Sequence, residues 1–198
     1  MSEAIAPEMR RALDDLADKR FATAMRQVAQ HEGGYVNDPD DPGGATRWGI
    51  SLAYLRRLDP ELGRDLGDVN NDGELTPEDI RQLPAEQAVE IYRRQWWQAH
   101  DYARLPVSIA GKVFDLAVNM GPSSAHKVLQ RALRATGRSD VADDGILGPV
   151  TIGAATDARD GALMPAIRSE AAGYYRSLVA ADATRRKFIR GWLNRAYA

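Results

Sequence analysis

Residues 31–50 read HEGGYVNDPDDPGGATRWGI and join a helical pattern to a segment rich in glycine and proline. They contain carboxylates, a threonine, a tyrosine and a tryptophan at positions that no core-building pattern requires. On the helical side, one face carries Phe21, Met25 and Val28. At about 100° per residue, Glu32 falls in the middle of that face. An apolar helical face therefore ends in a carboxylate, immediately before two glycines that favour a helix C-terminus.

The position of Glu32 predicts a raised pKa for two reasons. Partial burial disfavours the charged carboxylate, and the negative end of the helix dipole disfavours it further. A carboxyl group that is still protonated near neutral pH can act as a general acid. The alternative that the spacing leaves open is an exposed glutamate in the last helical turn, without a catalytic role.

Residues 35–50 predict a hairpin or an irregular three-stranded edge, because a turn region rich in aspartate, proline and glycine separates short extended segments. A segment of this kind folds back beside the helix end from which it came. We therefore expect it to bring five side chains close to Glu32: Asp38, Asp40, Asp41, Thr46 and Trp48.

A second informative segment, residues 68–79, reads DVNNDGELTPED and has the arrangement of an EF-hand calcium loop. The candidate calcium ligands are Asp68, Asn70, Asp72, Glu74 and Asp79. Asp79 stands where EF-hands usually carry a bidentate glutamate, so its shorter side chain is expected to weaken the site or change its geometry. The same residues also permit a simpler interpretation, since Thr76 and Pro77 form a good helix start without any ion.

Helical patterns fill most of the remaining chain. Ser51 is the expected N-cap of a short helix. A pattern that places Tyr92 and Trp96 on one face predicts a further helix, and the apolar pattern from residue 109 to residue 120 predicts the central core helix, which also carries Asn119. The predicted class is mainly α with a small β-hairpin element, an α+β fold in a single compact body.

Composition narrows the function. The chain has 198 residues, a formal net charge of −2 and no cysteine. The charge balance does not favour nucleic acid as a partner, and the lack of cysteine excludes disulfides, thiolate metal sites and cysteine nucleophiles. The three histidines, His31, His100 and His126, are not at metal-ligand spacing, which disfavours a zinc amidase or peptidase. No segment has the pattern of a signal peptide or of a membrane span.

Several short segments have sequences that are specific enough to indicate a protein family. They read EGGY at 32–35, DPGG at 41–44, TRWGI at 46–50 and FDLAVNMG at 114–121. These segments resemble glycoside hydrolase family 108, the N-acetylmuramidases found largely as phage and prophage endolysins. Further on, DGILGP at 144–149 and FIRGWLNR at 188–195 resemble the peptidoglycan-binding region that usually follows.

The resemblance implies a role for Glu32 as the general acid that cleaves the β-1,4 bond between N-acetylmuramic acid and N-acetylglucosamine. Asp41 is the positional equivalent of the lysozyme aspartate, and Asp38 and Asp40 in the same loop are the alternatives. Thr46 would hold a water at the opposite face of the sugar. Glycoside cleavage needs such a protonated carboxyl and a group that stabilises an oxocarbenium-like transition state.

The same resemblance suggests substrate contacts at Tyr35, Trp48 and Asn119. Flat apolar rings suit the faces of pyranose sugars, although buried aromatic residues are commoner than sugar platforms. The expected organisation is a lysozyme-like catalytic region over residues 1–120, with the EF-hand-like loop inserted in it, and a helical peptidoglycan-binding region over residues 121–198. No cofactor is expected for catalysis, and Ca²⁺ is expected as a structural ion.

Two other functions stay open on the sequence. A lytic transglycosylase would use one glutamate on the same bond but would let the muramoyl 6-hydroxyl attack in place of water. A calcium-dependent wall-binding module would use the 68–79 loop and leave Glu32 without a role. The leading hypothesis is an endolysin that acts as a monomer on peptidoglycan glycan strands. It would be made in the host cytoplasm without a signal peptide, and would reach the periplasm after holin-mediated release, without inserting into the membrane.

Overall fold

The computed structural model describes residues 5–31, 34–37, 44–58, 60–158 and 161–198. The chain divides by its internal contacts into two compact units, Met1–Gln95 and Trp96–Ala198. Over the described ranges, none of the helices combines the length and the apolar character that a membrane span requires. The sequence predicted a boundary near residue 120, between a catalytic region and a binding region. The division into these two units does not test that boundary, which stays a prediction.

The first unit is built from short helices around a small hairpin. Its elements are α1 (Pro7–Asp14), α2 (Lys19–Ala29), β1 (Thr46–Arg47), β2 (Ile50–Ser51), α3 (Leu52–Arg57), α4 (Pro60–Gly67), α5 (Pro77–Gln82) and α6 (Ala85–Tyr92). Helix α1 packs on α2 and α6, and α5 packs on β1. The core consists of side chains with no exposed surface: Leu13, Phe21, Met25, Val28, Ile50, Leu55, Ile80, Leu83, Ile91 and Tyr92.

The β element has three short extended pieces. Strands β1 and β2 pair antiparallel with Arg47 opposite Ile50. An isolated bridge joins Val36 to Thr46, with N–H···O distances of 2.8 and 2.7 Å between the two residues. The Ser51 hydroxyl accepts a hydrogen bond from the Tyr54 N–H at 3.1 Å and caps α3. The predicted irregular edge and the predicted cap are both confirmed.

Close packing of α3 against α4 depends on two glycines. A Cβ at Gly63 would lie 2.7 Å from the Leu55 carbonyl oxygen, and one at Gly67 would lie 2.5 Å from the Leu55 Cδ1. Any larger residue at Gly63 would collide with backbone, so the sequence of α4 sets how closely the two helices approach.

The second unit is a helical assembly around one buried helix. Its elements are a 3₁₀ turn (Tyr102–Arg104), α7 (Val107–Met120), α8 (Pro122–Ala135), α9 (Pro149–Asp157), α10 (Leu163–Ala181), a 3₁₀ segment (Ala183–Phe188) and α11 (Ile189–Tyr197). Helix α8 packs on α7 and α10, and α10 packs on α11. Every residue of α7 from Ile109 to Ala117 is buried, which confirms the predicted core helix.

A π-helical segment, Arg93–Gln98, follows α6 where a continuous α-helix was predicted. The predicted apolar face included Trp96, but the structure buries Trp97, which is 2% exposed, and leaves Trp96 half-buried. The wider π turn accommodates one extra residue, so the inward-facing position moves along the chain by one. This part of the prediction is wrong because hydrophobic periodicity assumes an unbroken 3.6-residue repeat. The overall class, mainly α with a small antiparallel element of the lysozyme-like kind, is confirmed.

A buried charge cluster joins α7 to α11. The Lys112 ammonium donates to the Arg195 carbonyl oxygen at 2.5 Å, and the Arg195 guanidinium lies 3.6 Å from the Asp115 carboxylate. All three residues are at most 6% exposed. Burial lowers the pKa of Lys112 to about 8, and Arg168 and Arg195 act in the same direction, whereas Asp115 opposes the shift.

This pKa predicts a pH-dependent contribution to stability. Between about pH 8 and pH 10.5 the unfolded lysine holds a proton that the folded one has released, so the free energy of unfolding rises with pH. Between pH 7 and pH 10, we expect the free energy of unfolding of the wild type to rise by about 2 kcal/mol relative to that of the Lys112→Met variant. Urea unfolding of both proteins across this range measures the gain. Subtracting the variant removes the contribution of other titrating groups, and a difference that does not change with pH would contradict the prediction.

Candidate active site

The helix before the predicted catalytic glutamate ends earlier than the sequence suggested. Asp18 caps α2 by accepting the N–H groups of Arg20 and Phe21 at 3.0 Å, and the apolar face of the helix is fully buried. At the other end, the His31 N–H donates to the Val28 carbonyl oxygen at 2.9 Å, which tightens the last turn. The sequence predicted that the helix continues to Glu32. This prediction is wrong at Gln30 and His31, which lie beyond the end of α2. Glu32 itself lies outside the described residues.

The hairpin that follows is turned by Trp48 and Gly49. Their φ angles are +54° and +77°, so the two-residue connection is a type I′ turn, the type that matches the twist of paired strands. A left-handed conformation is uncommon for a bulky residue and costs about 1–3 kcal/mol. Surrounding contacts must therefore hold Trp48 in place.

Three contacts fix Trp48. Its indole N–H donates to the Leu83 carbonyl oxygen at 3.0 Å, and its own carbonyl oxygen accepts the Tyr92 hydroxyl at 3.0 Å. The Arg47 guanidinium lies 5.1 Å from the centre of its ring and donates to the Arg81 carbonyl oxygen. Trp48 is 7% exposed, so its ring as placed offers a sugar little surface and ties the hairpin to α5 and α6.

The other predicted cleft residues of this unit lie beside the hairpin. Thr46 pairs with Val36 through the backbone, and its hydroxyl donates to the Gly44 carbonyl oxygen at 3.3 Å. Tyr35, next to Val36, is 39% exposed. The structure thus places Thr46 in β1, Trp48 in the turn of the hairpin and Tyr35 next to the Val36 bridge. Asp41 lies outside the described residues.

Asn119 belongs to the second unit, near the end of α7. Its side-chain oxygen accepts the Tyr175 hydroxyl at 2.8 Å, and the side chain is exposed. Tyr175 in turn stacks on Trp192 at a centroid distance of 5.3 Å. The exposed amide of Asn119 is therefore held by an aromatic pair from α10 and α11, which keeps it available as a polar contact.

The 68–79 loop folds around its own side chains. The two carboxylate oxygens of Asp68 accept the N–H groups of Asp72 and Gly73 at 3.1 and 2.8 Å. Asn70 accepts from the Asp72 N–H at 3.0 Å, and Asp72 accepts from the Glu74 N–H at 2.8 Å. These bonds tie the side chains of Asp68, Asn70 and Asp72 to the backbone of the loop.

Asp79 has a different role from the other candidate ligands. Its carboxylate accepts Val69 N–H at 3.1 Å, and Thr76 N–H and hydroxyl at 2.9 and 2.7 Å, with a further bond from the Asn70 N–H. Burial raises the pKa of Asp79, but these hydrogen bonds outweigh burial and hold the pKa below its usual value. A carboxylate has about four lone-pair positions. Asp79 uses them on the backbone and on Thr76, so it could bind an ion only by releasing part of the helix cap.

A cluster that sequence spacing did not reveal lies in the second unit. The rings of His100 and His126 are 5.4 Å apart, and Tyr102 donates its hydroxyl to His126 Nε2 at 3.0 Å. These histidines are distant in sequence, so no local pattern could have paired them. Within the described ranges, no group of three or more His, Cys, Asp or Glu residues is placed to hold a metal ion. An ion in the 68–79 loop would therefore need the Asn70 side chain and backbone oxygens in addition to the carboxylates of the loop.

Comparison with known proteins agrees with this architecture. Residues 25–121 match the family described as glycosyl hydrolase 108, and residues 124–197 match a predicted peptidoglycan domain. Among solved structures, the chain is similar to SagA of Brucella abortus, with 28% identity over 91% of each chain and a TM-score of 0.66. No curated protein matches the chain. Residues 25–121 are therefore a glycosyl hydrolase family 108 domain, and the chain is a glycoside hydrolase that acts on peptidoglycan.

Proposed function

We propose that this chain cleaves the β-1,4 bond between N-acetylmuramic acid and N-acetylglucosamine, with Glu32 as general acid. The observation that carries the proposal is the family 108 match over residues 25–121, because it spans the end of α2, the hairpin and the glutamate between them. A protonated carboxyl beside the glycosidic oxygen is what this cleavage requires.

The elements on either side of Glu32 suit this role. The apolar face of α2 is buried up to Val28 and Ala29, and the negative end of the helix dipole lies three residues before Glu32 in sequence. A carboxyl group held close to this buried face and helix end would be favoured in its neutral form. The hairpin beyond it is rigid, since Trp48 is anchored at both its indole and its carbonyl group.

Asp41 and Thr46 are the proposed partners of Glu32. Asp41 lies in sequence within the loop that the Val36–Thr46 bridge closes, and a carboxylate there would stabilise positive charge on the sugar ring. The Thr46 hydroxyl donates its hydrogen to Gly44, so its oxygen can accept a hydrogen from a water and orient it. Tyr35 is exposed beside it and is the proposed sugar contact of this unit.

The proposed biological role is that of an endolysin, which degrades the wall during lysis of a bacterial host. Both matched regions support it, since one is a glycosyl hydrolase and the other a predicted peptidoglycan domain. The enzyme would act as a monomer on periplasmic glycan strands, after release from the cytoplasm through a membrane lesion.

Replacement of Glu32 tests the catalytic assignment. Glu32→Gln keeps the size of the side chain but removes the acidic proton, so clearing of outer-membrane-stripped cells should slow by about 10²–10⁴-fold. Glu8→Gln, an exposed glutamate in the first turn of α1, is the matched control and should leave the clearing rate unchanged. A folded Glu32→Gln protein that clears cells at the wild-type rate would overturn the role of Glu32, whereas a wild type that does not clear cells would favour a wall-binding module.

Product analysis in the same assay separates the two reactions possible at this bond. Mass spectrometry of the digest should find reducing muramic acid ends, because water is the proposed nucleophile. Anhydromuramic ends would instead identify a lytic transglycosylase.

We also propose that the 68–79 loop binds Ca²⁺ as a structural ion. Asp68, Asn70 and Asp72 supply side-chain oxygens, and Glu74 occupies the position from which an EF-hand contributes a backbone carbonyl. The hydrogen bonds already present within the loop pre-organise it, which supports the proposal. Asp79 would complete the site only by exchanging bonds to Thr76 for the ion.

Calcium should therefore raise thermal stability. At about 100 times its dissociation constant the ion stabilises the folded state by about 2.7 kcal/mol. Calorimetry with Ca²⁺ and with chelator measures the shift in melting temperature. Asp72→Asn should reduce the shift, whereas Asp15→Asn, an exposed aspartate after α1, should preserve it. An identical melting temperature of the wild type in calcium and in chelator would exclude this site.

A further inference from the structure

The second unit contains a cavity of about 480 Å³ outside the proposed catalytic residues. It lies between the start of α8 and two loops, residues 99–101 and residues 145–147. Its volume falls within the range of about 300–1,000 Å³ that is usual for sites that bind small molecules. We call it the Ile146 cavity.

The wall of the Ile146 cavity is held by polar side chains whose donors and acceptors are all engaged in hydrogen bonds. His126 Nδ1 lies 2.9 Å from the Gly145 carbonyl oxygen and must donate to it, so Nε2 accepts the Tyr102 hydroxyl. Gln130 accepts the Gly145 N–H at 2.8 Å and donates to the Ile146 carbonyl oxygen at 3.0 Å. His126 and Gln130 are at most 3% exposed. Two buried polar side chains thus fix the backbone of the 145–147 loop.

The fixed loop presents an apolar side chain to water. Ile146 is 67% exposed, although its backbone is held on both sides. Gly145 has φ +77°, and a Cβ there would lie 2.5 Å from the Ser123 hydroxyl, so the loop can only sit against α8 with glycine at this point. The packing of the unit does not require an exposed isoleucine. A rigid apolar group beside a cavity is instead what a ligand contact requires.

The polar side of the cavity is formed by His100, Asp101 and Ser123. Burial lowers the pKa of His100, so its ring is neutral at pH 7 and offers one donor and one acceptor nitrogen. Ser123 offers a hydroxyl group. The Asp101 side chain is 68% exposed at the rim, where its carboxylate lies 3.9 Å from Arg104. The cavity therefore combines apolar surface, hydrogen-bond donors and one peripheral negative charge.

We infer that the Ile146 cavity binds the peptide stem of peptidoglycan. The inference rests on the proposed function, in which peptidoglycan is the substrate. A stem residue can place its methyl groups against Ile146, Leu147 and Pro122, and its carboxylate against the donors of His100 and Ser123. A free amino group of the stem can pair with Asp101. The described residues that line the cavity include no Trp, Tyr or Phe ring, the usual platform for a sugar, which favours the peptide over the glycan.

Calorimetric titration of the full chain tests this assignment with a synthetic stem tetrapeptide. The peptide contains no glycosidic bond, so binding does not depend on the catalytic proposal. We expect wild type to bind it and Ile146→Asp to bind it at least tenfold more weakly, because the new charge opposes the ligand carboxylate. Val107→Asp, which changes another exposed aliphatic residue at the start of α7, is the matched control and should bind like wild type.

A second arm uses stem-free glycan strands and intact muropeptides with the Glu32→Gln protein. Intact muropeptides should bind, with the same sensitivity to Ile146→Asp, and stem-free strands should not compete with the tetrapeptide. Competition by the stem-free strands, or equal tetrapeptide binding by wild type and Ile146→Asp, would overturn the inference. Neither result would alter cell clearing by wild type, so failure here is distinguishable from failure of the Glu32 assignment.

Discussion

The first unit depends on one hydrogen bond, from the Trp48 indole to the Leu83 carbonyl oxygen at 3.0 Å. Trp48 adopts a left-handed conformation to turn the hairpin, and glycine would do so with less strain. Two contacts of the tryptophan offset that strain: its ring is buried, and its N–H reaches the segment between α5 and α6. The Trp48 side chain thus fixes the position of the hairpin. Because Thr46 lies in β1 of that hairpin, its position is fixed as well.

The second unit uses buried polar groups in a comparable way. His126 and Gln130 each satisfy backbone groups of a loop that has no regular secondary structure. Lys112 does the same for the end of α11 through the Arg195 carbonyl oxygen. A buried polar group is tolerated only when its partners are in place, so each of these residues specifies one arrangement of the segment that it contacts. The rigidity of the Ile146 cavity follows from this constraint.

The sequence predicted features that depend on local pattern. The buried face of α2, the Ser51 cap and the buried helix α7 all follow from periodicity or from a capping residue, and the structure confirms them. It did not predict the early end of α2 or the π-helical segment Arg93–Gln98, because each depends on a local change of hydrogen-bond register. The sequence also did not predict that the rings of His100 and His126 lie close together, because tertiary packing joins residues far apart in the chain.

The two hydrogen bonds between Val36 and Thr46 have an evolutionary consequence. They fix both ends of the connecting segment independently of its length. The entropic cost of closing a loop grows only slowly with its length, by about 0.6 kcal/mol for each doubling. Insertions and deletions between these two residues therefore cost the fold little. Such enzymes can therefore change the number of residues in this segment at little cost in stability, whereas the proposed role of Asp41 restricts which of these changes keep activity.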